Sequence, residues 1–463
     1  MKGPAEPIAG ASPVTLGSTG GGDRRFWALV VATGAAAGLG AVLLLGLLRA
    51  VQRFSWGSAD LFLDAVRASG SLQRVLVPAL AGLLVTVVWL VARQPIGGHG
   101  TAGIIESIWL KGGILSLRRA LLRGTTSIVV VGMGASLGRE GALVQTGAAF
   151  GSWLGRRLGV THQEARLLVA CGAASGIAAA YNVPIGGALY GLEVLLGSFA
   201  LELLGPIVAS CVVSTIISRA LVAAHPSYVI PHYAFRAPEI LLAAVAFAPL
   251  LGIASAGFIQ GMDRVSDVLG RVPARLRPIL PILAMTALGA LALRFPELLG
   301  NGYDTVNAAL LGKISLSLLL LLPVLKLAAT ALCSGAGVPG GIFTPSLFVG
   351  ALLGGGLGAA LDLVWPGASP SGAWALLGMG GILAGTTHAA VSSVLIIFEL
   401  TGNYDVILPL MLVCAVSAAL SRKLSRDSLY TSVLRRRNVQ PPDLPEPQWL
   451  RDRRKPPAPP PPT

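Results

Sequence analysis

Three glycine-rich breaks interrupt the apolar sequence, and they contain the groups best suited to bind a small anion. They read GGHG at Gly97–Gly100, GREGA at Gly138–Ala142 and GGIFTP at Gly340–Pro345. Each break precedes an apolar helical run, so each is a candidate helix N-terminus. The first N–H groups of a helix have no intrahelical partner, and the aligned peptide dipoles place about half a positive charge there. Several such ends that converge would bind an anion without a full positive charge.

The elements that carry these breaks are hydrophobic. Of the 463 residues, 54% are hydrophobic and 12% are charged, against about 25% charged in soluble domains. Long apolar runs approach the roughly 20 residues that span a bilayer: Phe26–Leu48, Val75–Ala92, Leu203–Val222, Ile240–Ile259, Leu316–Leu332 and Val406–Leu420. Shorter runs are bounded by glycine, proline or charge: Gly141–Leu154, Ile185–Leu196 and Val391–Leu400. We therefore predict an all-α polytopic membrane protein with a pathway of broken helices; ordinary kinked spans are the alternative.

One membrane domain is expected between two polar tails. Residues 1–23 are rich in Gly, Ser and Pro, and residues 438–463 are rich in Pro, so both are predicted to be disordered. The polar stretch His225–Pro238 divides the domain, 24–437, into two halves with a glycine-rich break in each. This is the outline of an inverted repeat. The predicted halves are about 24–224 and 239–437.

The basic residues lie at the ends of hydrophobic segments. The formal net charge of +14 could indicate a nucleic-acid partner. However, Arg24 and Arg25 precede the first span, and Arg435–Arg437 follow the last. This positive-inside pattern predicts that both termini lie in the cytosol. We expect an integral protein of the plasma (inner) membrane, whose partner is the lipid bilayer and not nucleic acid. The four cysteines lie in apolar runs and are interpreted as small buried hydrophobes.

Five motifs resemble those of the CLC family of chloride channels and transporters. GREGA resembles the family's GREGP or GKEGP, GGIFTP resembles its GGIFAP, and GGHG occupies the place of its GSGIP. FELTGNY at Phe398–Tyr404 and DSLYTSVL at Asp427–Leu434 resemble the last core helices and the pore tyrosine. The matches come in the family's order and cover essentially residues 25–436. The resemblance is to prokaryotic members, and no C-terminal CBS domains are expected.

The resemblance implies a CLC-type inverted repeat of tilted and broken helices that transports chloride as a homodimer, with a separate pore in each subunit. It implies chloride bound by the amides of Ile342 and Phe343 and by the Tyr430 hydroxyl, although Tyr430 could also be an interfacial aromatic. The remaining anion-binding positions that it implies are His99, Gly138, Arg139 and Gly141.

The resemblance also implies that Glu140 is the gate. Deprotonated, its carboxylate would occupy an anion position and compete with chloride; protonated, it would leave. The physical argument agrees, because a carboxylate at an intramembrane helix N-terminus is an anion bound where anions bind. An ion pair with Arg139 is the alternative. Glu193, Lys326 and Glu399 lie in or beside apolar runs and are interpreted as structural pairs or helix-end contacts.

Three positions depart from the family's pattern. His99 stands where a serine is expected; a neutral imidazole can donate one hydrogen bond to an anion or turn away, which leaves anion selectivity open. Ala142 replaces the proline of GREGP. Glu193 is followed by Val194, where the family's exchangers often carry a second acidic residue as the inner proton acceptor. Val194 therefore favours channel-like, uncoupled transport, and chloride/proton antiport is the alternative.

Other function classes lack the residues that they require. An enzyme needs a nucleophile with a base, a metal cluster or a carboxylate pair. No GxSxG elbow occurs, and the literal GxGxxG at Gly335–Gly340 has no surrounding βαβ unit. We therefore expect no enzymatic activity, metal or cofactor. No HExxH spacing occurs among the five histidines, His99, His162, His225, His232 and His388.

Overall fold

The computed structural model of the chain is α-helical. It describes residues 14, 24–60, 62–97, 100–222, 228–233, 238–366 and 370–439. Over these residues it contains no β-strand, and an isolated antiparallel bridge joins Gly138 to Gly341. Most of the two predicted tails lies outside the described residues, so their disorder stays a prediction.

The helices divide into two successive sets. The first set is α1 (Arg24–Trp56), α2 (Phe62–Ala68), α3 (Ser71–Ala92), α4 (Gly100–Leu110), α5 (Leu117–Gly132), α6 (Glu140–Leu158), α7 (His162–Tyr181), α8 (Pro184–Tyr190), continued by a π-helical turn (Gly191–Leu196), and α9 (Leu201–Val222). The second set is α10 (Pro238–Gly270), α11 (Leu280–Ala292), α12 (Tyr303–Leu310), α13 (Leu316–Gly335), α14 (Phe343–Val364), α15 (Ser371–Thr387), α16 (Ala390–Thr401), α17 (Ile407–Leu424) and α18 (Thr431–Arg436).

Among the described residues, seven helices are long and apolar enough to cross a bilayer: α1, α3, α9, α10, α13, α14 and α17. The six long runs predicted from the sequence fall on six of them, and the seventh, α14, follows the GGIFTP break. Large apolar side chains remain exposed on these helices, such as Leu43 at 72%, Val91 at 79% and Leu201 at 84%. Apolar faces of this extent contact lipid or another protein, not water. The predicted polytopic membrane fold is confirmed.

The two sets repeat the same arrangement of helices. α1 and α10 have 33 residues each, and α3 to α9 correspond in order to α11 to α17. α6 packs on α7 as α14 packs on α15, and α1 packs on α9 as α10 packs on α17. The Gly138–Gly341 bridge joins the equivalent starts of α6 and α14, because each amide donates to the other's carbonyl at 2.8 Å.

The pair α8 and α16 shows that the repeat is inverted. Glu399, near the end of α16, accepts a hydrogen bond from the amide of Gly186 in the first turn of α8, at 2.6 Å. Glu193, in the turn after α8, accepts one from the amide of Ser392 in the first turn of α16, at 2.7 Å. The two segments therefore run antiparallel and cap each other's N-termini. These are the predicted helix-end contacts, and buried Lys326 likewise donates to two backbone carbonyls, at 2.8 and 3.2 Å.

Candidate functional site

Three helix starts meet at one small cavity. α4 begins at Gly100, α6 at Glu140 and α14 at Phe343, so each glycine-rich break does precede a helix. The volume of the cavity, about 10 Å³, is close to the minimum for one water molecule. The predicted convergence of helix N-termini is therefore present. The lining includes Gly100, Thr101, Glu140, Gly141, Tyr190, Ile342, Phe343 and Tyr430.

The carboxylate of Glu140 is bound at the N-terminus of α14. Its Oε1 accepts hydrogen bonds from the amides of Phe343 at 2.9 Å and Thr344 at 3.1 Å. Its Oε2 accepts the Thr344 hydroxyl at 2.6 Å, and the hydroxyl of Tyr181 lies 3.5 Å from the same oxygen. The residue is 2% exposed. The carboxylate thus sits at the positive end of a helix dipole with charge-assisted hydrogen bonds, as a small anion would.

Gly138 and Gly341 leave the space that this carboxylate occupies. A Cβ added at Gly138 would lie 2.1 Å from Glu140 Oε2, and one added at Gly341 would lie 2.1 Å from Oε1. The backbone of both α6 and α14 can therefore approach the carboxylate only because these two residues lack a side chain.

Most of the predicted anion-binding residues lie around this position. Gly141, Ile342, Phe343 and Tyr430 line the small cavity, and Gly138 lies at the bridge beside it. The amides that bind the carboxylate belong to Phe343 and Thr344. The pair predicted to bind the anion, Ile342 and Phe343, begins one residue earlier in the chain. Ile342 is the N-cap of α14, and the first turn begins after it.

Arg139 was predicted to contribute through the amides around Gly138–Gly141, and its side chain makes other contacts. Arg139 donates to the carbonyl of Ala180 at 3.2 Å, and its guanidinium carbon lies 4.8 Å from the ring centroid of Tyr303. His99 lies outside the described residues, so its contact with an anion stays a prediction.

Two larger cavities are lined by residues that belong to the small cavity or adjoin it in the chain. The first, about 320 Å³, is lined by Arg139 and Tyr303 among others and is called the Arg139 cavity below. The second, about 480 Å³, is lined by Tyr430 and Val194 among others and is called the Tyr430 cavity. Tyr430 borders both the small cavity and the Tyr430 cavity, and Arg139 directly precedes Glu140. The Tyr430 cavity therefore shares a lining residue with the small cavity, and the Arg139 cavity is lined by the residue next to Glu140.

The sequence analysis missed three hydroxyl groups of the site. Thr101 and Thr344 follow two of the helix starts directly, and Tyr181 ends α7. The signal for Thr344 was present, since it is the residue at which GGIFTP differs from GGIFAP. No local pattern marks Tyr181, because it reaches the site from a different helix.

Substitution of Tyr430 by phenylalanine tests whether its hydroxyl binds the anion. The ring is 3% exposed and packs edge-on against Tyr190, with centroids 6.4 Å apart, so Tyr430→Phe should keep the packing. We expect halide binding, measured by calorimetry, to weaken by about 1.5–3 kcal/mol, the contribution of a hydrogen bond to a charged partner. Tyr404→Phe, at a residue 76% exposed, is the control. Unchanged affinity in folded Tyr430→Phe would remove this hydroxyl from the site.

Comparison with known proteins identifies the family. A family model described as voltage gated chloride channel matches residues 79–422. A putative chloride channel protein ClcB-like from Ralstonia nicotianae is 37% identical over 410 residues, which cover 87% of this chain and 95% of the relative. The voltage-gated ClC-type chloride channel ClcB of Escherichia coli is 33% identical over 371 residues, which cover 77% of this chain and 86% of the relative.

Solved structures show the same fold. A slow cyanobacterial Cl⁻/H⁺ antiporter superposes with a TM-score of 0.80 at 23% identity, over 90% of this chain and 98% of the antiporter. A CLC-type fluoride/proton antiporter superposes with a TM-score of 0.72 at 21% identity, over 88% of this chain and 97% of that protein. These matches agree with the motifs around the three buried helix starts and with the inverted repeat. This chain belongs to the CLC, or voltage-gated chloride channel, family.

Proposed function

We propose that this chain conducts chloride across a membrane through a pathway that Glu140 opens and closes. The observation that supports this most strongly is the position of the Glu140 carboxylate on the amides of Phe343 and Thr344. A carboxylate that takes these donors excludes an anion from them. Protonation removes its negative charge, and with it most of the attraction of the helix end. The side chain then leaves, and chloride passes between the Arg139 cavity and the Tyr430 cavity.

Chloride binds, in this proposal, in the small cavity at the amides of Ile342 and Phe343 and at the hydroxyl of Tyr430. The amides around Gly138, Arg139 and Gly141 form an outer site. Backbone amides and a hydroxyl suit transport because they attract an anion without the full charge that would retain it. We also propose that His99 contributes to the choice among small anions, since its imidazole replaces a serine hydroxyl.

Transport without proton coupling is the form that we favour. Val194 lines the Tyr430 cavity and cannot take a proton. Glu193 lines the same cavity, but its carboxylate is held by the amide and the hydroxyl of Ser392 at 2.7 and 2.6 Å, as a helix cap. Chloride/proton antiport on the same scaffold is the alternative. The antiporters named above share this fold, which by itself does not distinguish the two modes.

A reversal-potential measurement in liposomes under opposed chloride and pH gradients separates these modes. We expect the reversal potential to follow the chloride gradient alone, because no protonatable group stands at Val194. Val194→Glu should then create or strengthen proton movement, whereas Val194→Gln, of similar size but unable to ionise, should not. Protons pumped uphill by a chloride gradient in wild-type liposomes would instead establish antiport.

The same proposal includes an orientation and an assembly. Basic residues support an orientation with both termini in the cytosol of a plasma-membrane protein: Arg24 and Arg25 at the start of α1, and Arg435–Arg437 at the end of α18. The Arg139 cavity then faces outward, because residues near the end of α1, such as Gln52, line it. The Tyr430 cavity faces the cytosol, beside α18. We also propose a homodimer with one pore in each subunit, as the family resemblance implies.

A further inference from the structure

A chain of hydroxyl groups leads away from the gate carboxylate. The Thr344 hydroxyl oxygen lies 2.6 Å from Glu140 Oε2, and the Tyr181 hydroxyl lies 2.7 Å from the Thr344 oxygen. An ionised carboxylate accepts hydrogen bonds and donates none. Thr344 must therefore donate to Glu140, and its oxygen accepts from Tyr181. The donor direction is thus fixed from Tyr181 through Thr344 to the carboxylate.

Tyr303 continues this chain to the Arg139 cavity. Its hydroxyl lies beside those of Tyr181 and Thr344, and the residue lines that cavity. Tyr228 packs beside Tyr303, with ring centroids 4.9 Å apart. Among the described residues, neither of these two hydroxyls has a partner with hydrogen-bond geometry. Buried hydroxyls normally have partners, so the Tyr303 hydroxyl can bind a proton from the cavity and donate towards Tyr181.

Protonation of Glu140 requires such a connection. The side chain is 2% exposed, so water in the Arg139 cavity does not reach it directly. Two of the donors on its oxygens are backbone amides of Phe343 and Thr344, which keep their protons. The hydroxyl of Thr344 is the donor on the carboxylate that can give one proton and receive another.

We propose that Tyr303, Tyr181 and Thr344 form a proton relay that loads Glu140 from the Arg139 cavity. A proton from hydronium in the cavity binds the Tyr303 oxygen, and the Tyr303 proton passes to Tyr181. The Tyr181 proton passes to Thr344, and the Thr344 proton passes to Glu140 Oε2. Each hydroxyl gains one proton and loses one, and only the carboxylate changes charge. Rotation of each hydroxyl about its C–O bond resets the chain.

This inference rests on the proposed role of Glu140 as the gate, but a separate observation supports it. The relay depends on the hydroxyl contacts, and the gate depends on the amide contacts. The titratable groups that face Glu140 from the elements around it, among the described residues, are Arg139, Tyr181, Tyr190, Tyr228, Tyr303 and Tyr430.

Tyr181→Phe tests the relay by the rate at which flux responds to acid. The ring packs against Phe343, with centroids 5.2 Å apart, so the variant keeps this contact and loses only the hydroxyl. In liposomes with the Arg139 side outward, we expect a sudden external acidification to activate chloride flux at least tenfold more slowly than in wild type. The rate should be taken from the approach to each variant's own final flux at acid pH, so that a change in final flux does not alter it. The wild-type rate should fall in deuterium oxide, and the variant should lose that isotope dependence.

Matched variants separate the relay from other effects. Tyr233→Phe removes a buried hydroxyl that donates to the carbonyl of Leu310, away from Glu140, and should activate at the wild-type rate. Thr344→Ser keeps the relay hydroxyl and should activate at the wild-type rate. Thr344→Val should activate slowly, as Tyr181→Phe does, and should also shift the pH midpoint because it removes a direct hydrogen bond to Glu140 Oε2. An unchanged activation rate in Tyr181→Phe would overturn the relay. A shifted pH midpoint of chloride flux with an unchanged activation rate would also overturn the relay, since it would show that Tyr181 only positions the carboxylate. If the gate assignment itself fails, Glu140→Gln will retain its pH dependence, which is a different result.

Discussion

Glu140→Gln is expected to abolish the pH dependence of chloride flux and to leave the pathway open at neutral pH. Glutamine has the shape of protonated glutamate but no negative charge. It therefore cannot compete for the amides of Phe343 and Thr344 as a carboxylate does, since hydrogen bonds to a charged partner contribute about 1.5–3 kcal/mol each. Flux should be measured in liposomes from acidic to neutral pH, with folding and oligomeric state checked by size-exclusion chromatography.

The control for this experiment is another carboxylate at a helix start. Glu399 accepts hydrogen bonds from the amides of Ile185 and Gly186, at 3.1 and 2.6 Å, but lies at α8 instead of the small cavity. Glu399→Gln should retain the pH dependence of the wild type. A folded Glu140→Gln protein with the wild-type pH dependence would show that Glu140 is not the gate.

Gly138→Ala is expected to lower chloride flux at acid pH as well as at neutral pH, although Glu140 is still present. The three atoms nearest to an added Cβ all belong to the Glu140 carboxylate, at 2.1, 2.3 and 2.5 Å. The flexible side chain must therefore move, while the main chain of the Gly138–Gly341 bridge can remain. Gly138 does not have a positive φ, so alanine fits its backbone. An anion on the amides of Phe343 and Thr344 would meet the same Cβ, so chloride flux should fall at acid pH as well as at neutral pH.

Gly103→Ala is the matched control for this steric experiment. Gly103 lies in α4, and an added Cβ there would have no atom within 4 Å. It should leave both flux and pH dependence unchanged. If Gly138→Ala keeps the wild-type flux at acid pH, chloride does not pass between Gly138 and Gly341.

The membrane fold and the three helix starts could be predicted from the sequence because their signals are local. Long apolar runs predict spans, and a glycine-rich break before an apolar run predicts a helix N-terminus. The inverted repeat could only be outlined, because the contacts that define it join distant residues. No local sequence pattern predicts the Gly138–Gly341 bridge. None predicts that Glu399 caps α8 and that Glu193 caps α16.

The site was predictable where a motif contains it and not elsewhere. Glu140 and the glycines beside it were found because GREGA places a carboxylate at a helix start. The hydroxyls of Thr344 and Tyr181 were missed, since their contacts to the carboxylate come from 204 and 41 residues away in the chain. The contacts of the Arg139 side chain could not be predicted from the adjacent Glu140. Its guanidinium contacts Ala180 and Tyr303, which are distant in the sequence.

Anomalous diffraction from bromide-soaked crystals of the wild type and of Glu140→Gln tests most directly whether carboxylate and anion share one position. In the wild type at neutral pH, the carboxylate should lie on the amides of Phe343 and Thr344, with no bromide there. In Glu140→Gln, bromide should occupy that position, between Gly138 and Gly341. Bromide absent from this position in the variant, or bound at these amides in the wild type with the carboxylate still in place, would contradict the account.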